Sequence, residues 1–465
     1  MAEASLAPQI VGALIAMLGG FTLGLSVGWS SPVQNAVKEL NRTTNSSADR
    51  DNAETILDNF FWIASIMPLG ACSVMFPVGF LLDRIGRKWI MFIAAPLVTI
   101  SFIIVAVTFN AWAWIVGRFL MGFSSAAFCV AAPIYVGEIT EPRIRGTLGV
   151  CFQLFLVIGI AVQFILGLCS NYIINSGVSA VFPIVFIILF VFMPETPRFL
   201  MMKDKNEAAS KSLQWYRGKD FDISSEMQEI ESALKEIKDT KVSIKDLFKS
   251  TAMLKSMLIS LGLHIFQQVS GINVIMFYSA SEFEKSNSAL SPIESSIILG
   301  VVQIVGTLVS ALVIDRVGRK LLLNLSFGGM AICLCAVGGW YIYLDSVKDS
   351  EINTGLRALP IIFFCAYLLF FSFGCGPIPW AMMGELFPKE LKGICGSIAA
   401  FVNWGFAFII TVTFEKFEEE TPHYVSFFIY AGFCVATVFF VIFIVIETKG
   451  KTLEEIEKEL GRNAD

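Results

Sequence analysis

Twelve long apolar runs constrain the fold of this 465-residue chain more than any other feature of its sequence. Each approaches the length of about 20 apolar residues that a helix needs to cross a bilayer. Lipid offers no partner for backbone N–H and C=O groups, and the alternation typical of barrel strands is absent, so the runs should be helices. The sequence therefore predicts an all-α membrane protein with twelve transmembrane helices. The runs cover residues 10–32, 58–82, 89–109, 112–137, 147–171, 177–193, 254–280, 293–314, 321–344, 357–384, 393–414 and 424–446.

The composition excludes several classes of protein. Charged residues make up 16% of the chain, against about 25% in soluble domains, so neither an ordinary soluble enzyme nor a disordered chain is expected. A net charge of −5 without a basic tract argues against nucleic acid as a partner. The ten cysteines lie in or beside the apolar runs and are interpreted as reduced core residues. Because the sequence shows no metal cluster, nucleophile elbow or phosphate loop, it predicts neither an enzyme nor a cofactor.

Charges and sequons predict the orientation in the membrane. The short loops after the second, fourth, eighth and tenth runs are rich in Arg and Lys, which places them in the cytoplasm. An even number of spans then places both termini on the same side. The loop after the first run holds acceptor sequons at Asn41 and Asn45, which are expected to face outward and to be glycosylated. These two sequons are also the basis for predicting the plasma membrane as the location.

The chain repeats its signatures in two halves. Asp83–Lys88 (Asp-Arg-Ile-Gly-Arg-Lys) follows the second run and returns as Asp315–Lys320 after the eighth. Gly-Glu pairs end the fourth run at Glu138 and the tenth at Glu385. Matching signatures in register predict two six-helix bundles, an architecture of transporters that rock around a central site. The predicted parts are an N-terminal bundle (1–198), cytoplasmic linker helices (199–253), a C-terminal bundle (254–446) and a cytoplasmic tail (447–465).

Each half places acidic and basic residues together at the predicted cytoplasmic boundary. A Glu in this position is costly unless it is paired, and the Arg and Lys residues of neighbouring loops are the natural partners. We expect such clusters to latch the halves when the cavity faces outward and to separate when it faces inward. Positive-inside topology with interfacial anchoring is the alternative. The expected gating network is Arg84, Glu138, Arg145 and Glu195 in the first half and Arg316, Glu385, Lys392 and Glu447 in the second.

Uncharged polar side chains inside the spans are the candidates for a binding site. Amides offer donors and acceptors to a ring of hydroxyl groups, and Trp380 offers an aromatic face to the C–H groups of a sugar. A single amide in a span is more often a bond between helices, but several beside a tryptophan favour binding. Gly271 in the seventh run and Gly374–Trp380 in the tenth are expected to interrupt their helices, as gates require. The amides are Gln153, Gln267, Gln268, Asn273, Gln303 and Asn403.

The distribution of ionisable residues favours a passive carrier. The first run contains no Asp or Glu, whereas proton-driven carriers need a titratable group within the membrane. His264 is one candidate for such a group, although a lone histidine in a span is more often structural. Arg118, early in the fourth run, is either buried and hydrogen-bonded or extends outward to the interface.

Eight motifs are spread over nearly the whole chain: Asp83–Lys88, Pro133–Glu138, Arg145–Gly146, Pro194–Arg198, Gln267–Asn273, Asp315–Lys320, Gly376–Trp380 and Asn403–Trp404. Together they resemble the sugar porter family of the major facilitator superfamily, in particular the insect facilitated trehalose transporters and the related facilitative glucose transporters. The resemblance implies that the amides named above other than Gln303, together with Trp380, contact a sugar. It also implies that the charge clusters form the inner gate. Ser372 stands where glucose carriers have an acid, which leaves the identity of the sugar open.

The predicted function is facilitated (uniport) transport of a sugar, trehalose or a hexose such as glucose, by alternating access. The expected partners are the small-molecule sugar and the lipid bilayer, and the protein is expected to work as a monomer. Two alternatives stay open at this point. One is proton–sugar symport, which would need a proton site, and the other is a non-transporting sugar sensor on the same fold.

Overall fold

The computed structural model describes residues 4–239, 251–347, 352–353, 355–387, 391–451 and 453–462. Over these ranges the chain is helical without a strand, and twelve spans are long and apolar enough to cross a membrane. The predicted all-α fold with twelve spans is therefore confirmed. We name its two faces by sequence landmarks. The motif face holds both Asp-Arg-x-Gly-Arg-Lys motifs, and the sequon face holds Asn41 and Asn45.

The first half of the fold contains six spans. The first span is divided at Trp29 and continues to Thr43, well beyond the apolar run that predicted it. Asn41 consequently lies in the last turn of a helix, whereas the sequence suggested a loop. The helices are α1 (Leu6–Gly28), α2 (Ser30–Thr43), α3 (Ser47–Asp58), α4 (Phe60–Ile85), α5 (Arg87–Val107), α6 (Ala111–Ile139), α7 (Pro142–Leu166) and α8 (Tyr172–Phe190).

Three short helices then lie on the motif face against the first half: α9 (Pro197–Met202), α10 (Asn206–Arg217) and α11 (Ser224–Asp239). The buried guanidinium of Arg217 donates to the Ile139 carbonyl at 2.7 Å and to the Glu226 carboxylate at 2.9 Å. The hydroxyls of Tyr135 and Tyr216 are 2.6 Å apart. The linker segment is thus helical as far as Asp239 and is held on the first half, while residues 240–250 lie outside the described ranges.

The second half repeats the six-span arrangement, with two spans interrupted as predicted. Gly271, at φ +88, separates two helices of the seventh span, and a π-helical turn, Phe371–Cys375, interrupts the tenth. Such π-turns occur often at functional sites. The helices are α12 (Thr251–Val269), α13 (Ile272–Lys285), α14 (Pro292–Val317), α15 (Arg319–Ser346), α16 (Leu359–Phe370), α17 (Ile378–Leu386), α18 (Lys392–Glu420), α19 (His423–Phe443) and a tail helix, α20 (Leu453–Arg462).

Glycines let neighbouring spans of the first half approach closely. Gly24 of α1 lies against the backbone of Leu156 in α7, and Gly159 of α7 lies against the backbone of Phe21 in α1. A Cβ at either glycine would overlap the facing backbone. Lipid is as apolar as leucine, so packing between spans depends on close van der Waals contact, which small residues permit. The paired glycines therefore fix α1 and α7 against each other.

The two halves touch along α4 with α18, α7 with α14 and α2 with α13. The contact of α7 with α14 lies toward the sequon face, where Gly300 of α14 packs on Ala161. At the motif face, Gly146 and Gly149 of α7 and Gly393 of α18 point into open space. The halves are therefore in contact at the sequon face, whereas at the motif face the space beside these glycines of α7 and α18 is open; we call this open space the gap.

Candidate functional site

The first Asp-Arg-x-Gly-Arg-Lys motif forms the turn between α4 and α5. Gly86 has φ +109 at this turn, and Arg87 begins α5. The buried guanidinium of Arg87 donates to the Leu82 carbonyl at 3.0 Å and pairs with Glu138 of α6 at 3.1 Å. The hydroxyl of Thr196 donates to the other oxygen of Glu138 at 2.6 Å. A buried ion pair, in which the second oxygen of Glu138 is also hydrogen-bonded, thus joins the ends of α5, α6 and α9.

Glu195 binds the start of α5. Its carboxylate accepts the backbone N–H of Thr196 at 2.8 Å and that of Lys88 at 3.0 Å. A carboxylate in this place is stabilised by unpaired N–H groups and by the helix dipole. Burial raises the pKa of Glu195, and the N–H donors and Arg87 oppose that rise while the Glu138 carboxylate adds to it. We call Arg87, Glu138, Glu195 and Thr196 the first charge node.

The second half builds an equivalent second charge node from Arg319, Glu385, Glu447 and Thr448. Arg319 begins α15 and pairs with Glu385 of α17 at 2.9 Å. Glu447 accepts the backbone N–H groups of Arg319 and Lys320, each at 3.0 Å. The Thr448 hydroxyl donates to the second oxygen of Glu385. The repeat seen in the sequence is therefore a repeat of hydrogen-bond geometry.

The pKa values of the two capping carboxylates shift in opposite directions. Burial acts to raise the pKa of Glu447, but four backbone N–H groups outweigh it and lower that pKa below the ordinary value. The pKa of Glu195 is raised instead. A carboxyl group with a lowered pKa in the folded state contributes stability at neutral pH that is lost as the pH falls through that pKa. Ionisation of Glu447 thus stabilises the fold at the second node, whereas ionisation of Glu195 does not stabilise the fold at the first node.

The arginines that bind the node glutamates in this structure are not the ones expected from the sequence. Arg84 and Arg316 are exposed in the last turns of α4 and α14, and neither side chain contacts a node carboxylate within the described chain. The guanidinium of Arg84 lies over the Phe80 ring at 4.3 Å from its centroid. Arg87 and Arg319 lie three residues after Arg84 and Arg316, and each is the first residue of the helix that follows the motif glycine. The turn at that glycine directs their side chains toward the node glutamates. Because the latch is expected in the outward-facing state, the roles of Arg84 and Arg316 in the gating network stay a prediction.

Arg145 also lies outside the first node, and Lys392 lies beside the second node. Arg145 is exposed on α7 and donates to the Thr140 carbonyl at 2.9 Å. Lys392 is exposed at the start of α18, beside Gly384. Both residues border the gap between the halves, whereas the four glutamates expected in the network lie in pairs within the two nodes.

Gln267 joins three spans of the second half. Its Nε2 donates to the carbonyls of Cys375 at 2.6 Å and Gly376 at 2.9 Å, where the tenth span is interrupted. Its Oε1 accepts from Asn403 of α18 at 2.8 Å, and Asn403 also donates to the His264 carbonyl at 3.3 Å. Backbone carbonyls left without helical partners need such donors. The amide of Gln267 therefore holds the interrupted span to α12 and α18.

Three other predicted residues lie beside this cluster. Gln268 accepts a hydrogen bond from Asn273 across the break at Gly271. Trp380 is half-buried and packs edge-to-face with the ring of His264, with centroids 4.8 Å apart and planes at 87°. The structure thus brings Trp380 next to the Gln267–Asn403 pair and joins Gln268 to Asn273.

Polar atoms without partners surround the same spans. A buried polar group left unpaired costs about 1–3 kcal/mol, so such atoms are suited to a polar ligand. Gln153 lies half-buried on α7 in the facing half, and its side chain makes no hydrogen bond within the described chain. The buried atoms without a partner in the described part of the second half include Oε1 of Gln303, Nε2 of His264, Oγ of Ser372 and Nε1 of Trp404.

Arg118 is buried rather than extended toward the interface. Its guanidinium donates to the Ser26 carbonyl at 2.6 Å, to the Ser30 hydroxyl at 2.9 Å and to the Ile63 carbonyl at 3.2 Å. It also lies 5.0 Å from the centroid of the Trp29 ring. These neutral partners tie α6 to α1, α2 and α4 at the division of the first span.

A set of polar contacts closes the halves at the sequon face. Lys38 and Arg42 of α2 pair with Glu284 of α13 at 2.9 and 3.2 Å. The hydroxyls of Ser31 and Ser279 are 2.8 Å apart. We call these five residues the sequon-face bridge. Sequence analysis missed it because Lys38 and Arg42 follow the first apolar run and looked like loop residues; their spacing of four, helical on one face, was the available signal.

Comparisons with known proteins agree with one another. The family model described as "Sugar (and other) transporter" matches residues 12–460. The chain is 35% identical over 454 residues to a facilitated trehalose transporter of Culex quinquefasciatus, with 97% of this chain and 86% of the relative covered. It is also 35% identical over 455 residues to a facilitated trehalose transporter of Aedes aegypti, with 97% of this chain covered. This second match spans 55% of the relative, about half its length.

A solved structure shares the fold. The partially occluded inward-open conformation of the xylose transporter XylE from E. coli aligns with a TM-score of 0.78. The alignment covers 96% of this chain and 100% of that chain at 21% sequence identity. The likeness therefore extends over both halves and the helices between them.

Proposed function

The chain belongs to the sugar (and other) transporter family, and from that premise we propose that it carries a sugar across a membrane by facilitated diffusion. The proposed substrate is trehalose, which the insect relatives are named for transporting, or a hexose such as glucose. One observation carries the proposal. It is the buried amide cluster at Gln267 and Asn403, beside Trp380 and beside polar atoms that lack partners.

The proposed sugar site lies where the two halves face each other. Trp380 packs on the C–H face of the sugar, and the unpartnered atoms of Gln303, Ser372 and Trp404 exchange hydrogen bonds with its hydroxyls. Gln153 contributes from the first half. A group that is unsatisfied without ligand and satisfied with it favours binding, because no existing protein hydrogen bond has to be broken. The substrate-contacting set that we propose is Gln153, Gln267, Gln268, Asn273, Gln303, Trp380 and Asn403.

Alternating access follows from the difference between the two faces of the protein, one closed and one open. The sequon-face bridge closes one side of the site, and the gap beside α7 and α18 leaves the other side open. We propose that the bridge breaks when the gap closes. Arg145 and Lys392, exposed beside the gap, then reach acidic groups across it, while each charge node keeps the helix ends of its own half in register.

The proton-coupled alternative finds no support in the first half. The buried cation Arg118 is bound by carbonyl and hydroxyl groups of α1, α2 and α4. The first span carries no carboxyl group between Ile10 and Pro32 that could pair with it and bind the transported proton. We therefore favour uniport over symport.

The proposed orientation follows the positive-inside rule. The motif face and both described ends of the chain lie in the cytoplasm, the sequon face lies outside, and the protein is a monomer in the plasma membrane. In this orientation the structure is the inward-facing state, because the bridge at the outer face is closed. The sugar site is then reached from the cytoplasm.

Glycosylation is expected at Asn45 and not at Asn41. Asn45 is exposed between α2 and α3, whereas Asn41 lies inside α2 with its amide oxygen buried. An acceptor amide must be reachable in an irregular segment. Asn45→Gln should abolish the glycosidase-sensitive mobility shift of the cell-expressed protein, and Asn41→Gln should leave it intact. The opposite pattern would contradict the placement of α2, and no shift in either protein would contradict the outward orientation.

Counterflow in proteoliposomes tests the proposed function. Vesicles preloaded with unlabelled trehalose or glucose receive the same sugar in labelled form, with and without an imposed pH gradient. We expect transient accumulation with one of the two sugars, unchanged by the gradient. Accumulation that requires the gradient would establish symport instead, and no counterflow with any sugar would favour the sensor.

A further inference from the structure

A second cluster of charged groups lies on the sequon face, within the second half. The ammonium of Lys285 is 2.7 Å from the Glu418 carboxylate and 3.2 Å from that of Glu282. Nδ1 of His423 lies 3.1 Å from the other oxygen of Glu418. The Tyr341 hydroxyl donates to Glu282 at 3.1 Å. The cluster therefore joins the last turn of α13 to α15, α18 and α19.

His423 is the member of this cluster that is most open to water. The side chains of Glu282 and Glu418 are 2% and 4% exposed, whereas those of Lys285 and His423 are 34% and 41% exposed. Protons in the surrounding solution thus reach the imidazole directly. The carboxylates that sense its charge are shielded from water.

The charges of the cluster balance when His423 is protonated. The titratable groups facing its ring in the described chain are Glu418 of α18, Glu282 and Lys285 of α13, and Tyr341 of α15. With a neutral imidazole, two carboxylates share one ammonium. Buried charge left without a counter-charge is costly. A second cation on His423 repels Lys285 but offsets the excess negative charge of Glu418 and of Glu282 on α13, which strengthens the contacts between α13 and its own half.

The same turn of α13 also contacts the opposite half. Glu284 lies between Glu282 and Lys285 in sequence and binds Lys38 and Arg42 of α2. The end of α13 is thus held on one side by its own half and on the other by the sequon-face bridge. When the bridge breaks, α13 leaves α2 with the second half if its contacts to α18 and α19 hold.

We propose that His423 is a proton switch for opening the sequon face, whose protonated form holds α13 on the second half and so promotes release from α2. The consequence for transport rate rests on the proposed function, but the opening itself does not. An imidazole titrates within the physiological pH range, so the sequon face opens more readily at the acidic end of that range and less readily at the alkaline end.

Sugar uptake at equal pH on both sides of the membrane tests the switch without any gradient. Wild-type uptake is expected to be about threefold faster near pH 6 than near pH 8, a ratio in the range of one partly exposed ion pair. His423→Gln should lower uptake to the alkaline level at both pH values. His423→Arg, with a permanent charge, should keep it at the acidic level at both.

Thiol labelling of Ser31→Cys reports the opening independently of sugar. Ser31 is buried beneath α13 in the closed state, so its labelling requires the sequon face to open. In a background with the exposed Cys169 and Cys335 replaced by serine, the labelling rate divided by that of a free thiol at the same pH should follow the same pH dependence and lose it with His423→Gln. If uptake is absent but labelling keeps this pattern, the proposed function fails and the switch stands. An equal pH response of labelling in the wild type and in His423→Gln overturns the switch.

Discussion

Arg87→Leu is expected to remove most of the folded protein, whereas Arg84→Leu in the same motif is expected to leave its amount unchanged. Loss of Arg87 leaves the carboxylate of Glu138 buried with the Thr196 hydroxyl as its remaining donor. Breaking a buried ion pair from one side costs about 3–5 kcal/mol, a large part of the roughly 5–15 kcal/mol that stabilises a typical domain. The exposed Arg84 side chain makes no comparable contact, so its removal should change stability by less than about 0.5 kcal/mol.

Monodisperse yield after detergent extraction and the thermal unfolding midpoint measure this difference. Arg319→Leu and Arg316→Leu form the equivalent pair in the second half. The effect of Arg319→Leu should be smaller, because the Glu385 side chain is 28% exposed against 10% for Glu138, so water can partly solvate it. Equal loss from Arg84→Leu and Arg87→Leu would contradict the assignment of Arg87 to the first charge node.

Gln267→Ala is expected to lower the sugar uptake rate by about 100-fold at a similar surface amount. The substitution leaves the Cys375 and Gly376 carbonyls and the Asn403 amide without the partner that positions them. Asn403 keeps its bond to the His264 carbonyl, so two groups, the Cys375 and Gly376 carbonyls, lose a donor, and two losses at about 1.4 kcal/mol each correspond to this factor. Uptake kinetics per surface molecule, measured with the sugar identified by counterflow, give the result.

Gln163→Ala is the matched control for this prediction. Gln163 is also buried and bonds two side chains, Asn175 and Ser179, but both partners belong to the first half, away from the proposed site. Its loss should reduce stability while the uptake rate per surface molecule stays within about twofold, since no site group loses a partner. Unchanged uptake in Gln267→Ala, or equal loss in both variants, would remove Gln267 from the site.

The fold was predictable because lipid imposes a strong rule. A backbone that must satisfy its own hydrogen bonds in hydrocarbon becomes helical wherever about 20 apolar residues occur, so hydropathy located all twelve spans. It could not locate the helix ends. The polar surface of α2 continues the first span to Thr43 because helical hydrogen bonding does not stop where hydropathy falls. The sequence therefore predicted a loop around Asn41 where the structure has a helix.

The charge nodes show where sequence patterns become insufficient. The repeated motif predicted that each half brings Glu and Arg together at one face, and the structure does so. Which arginine pairs depends on the φ of +109 and +103 at Gly86 and Gly318, because that turn orients the following helix. Spacing alone does not encode this direction, so the sequence did not show that Arg87 and Arg319 bind the glutamates in this structure.

The central amides show a different limit. Their residue types and their position in interrupted spans predicted a polar site. The sequence did not show that the side-chain N–H groups of Gln267 would bind the carbonyls of Cys375 and Gly376. Its amide is thus a positioning group for the tenth span as well as a proposed sugar contact. Only the three-dimensional arrangement distinguishes such a bonded amide from Gln303, whose oxygen has no partner in the described chain.

The central claim is that the halves must separate at the sequon face in each transport cycle, and a disulfide across the sequon-face bridge tests it most directly. The hydroxyls of Ser31 and Ser279 are 2.8 Å apart across the halves, and those of Ser26 and Ser125 are 2.8 Å apart within the first half. Cysteines at either pair lie within reach of an S–S bond of about 2.05 Å. Both double-cysteine variants can therefore be cross-linked under the same oxidising conditions.

Counterflow is then measured in each variant before oxidation, after oxidation and after reduction. The account predicts that the Ser31→Cys/Ser279→Cys cross-link stops counterflow and that reduction restores it. The Ser26→Cys/Ser125→Cys cross-link should leave the counterflow rate unchanged, because it joins α1 and α6, which move together in the first half. Undiminished counterflow through the fully cross-linked Ser31→Cys/Ser279→Cys protein would contradict transport by separation of the two halves.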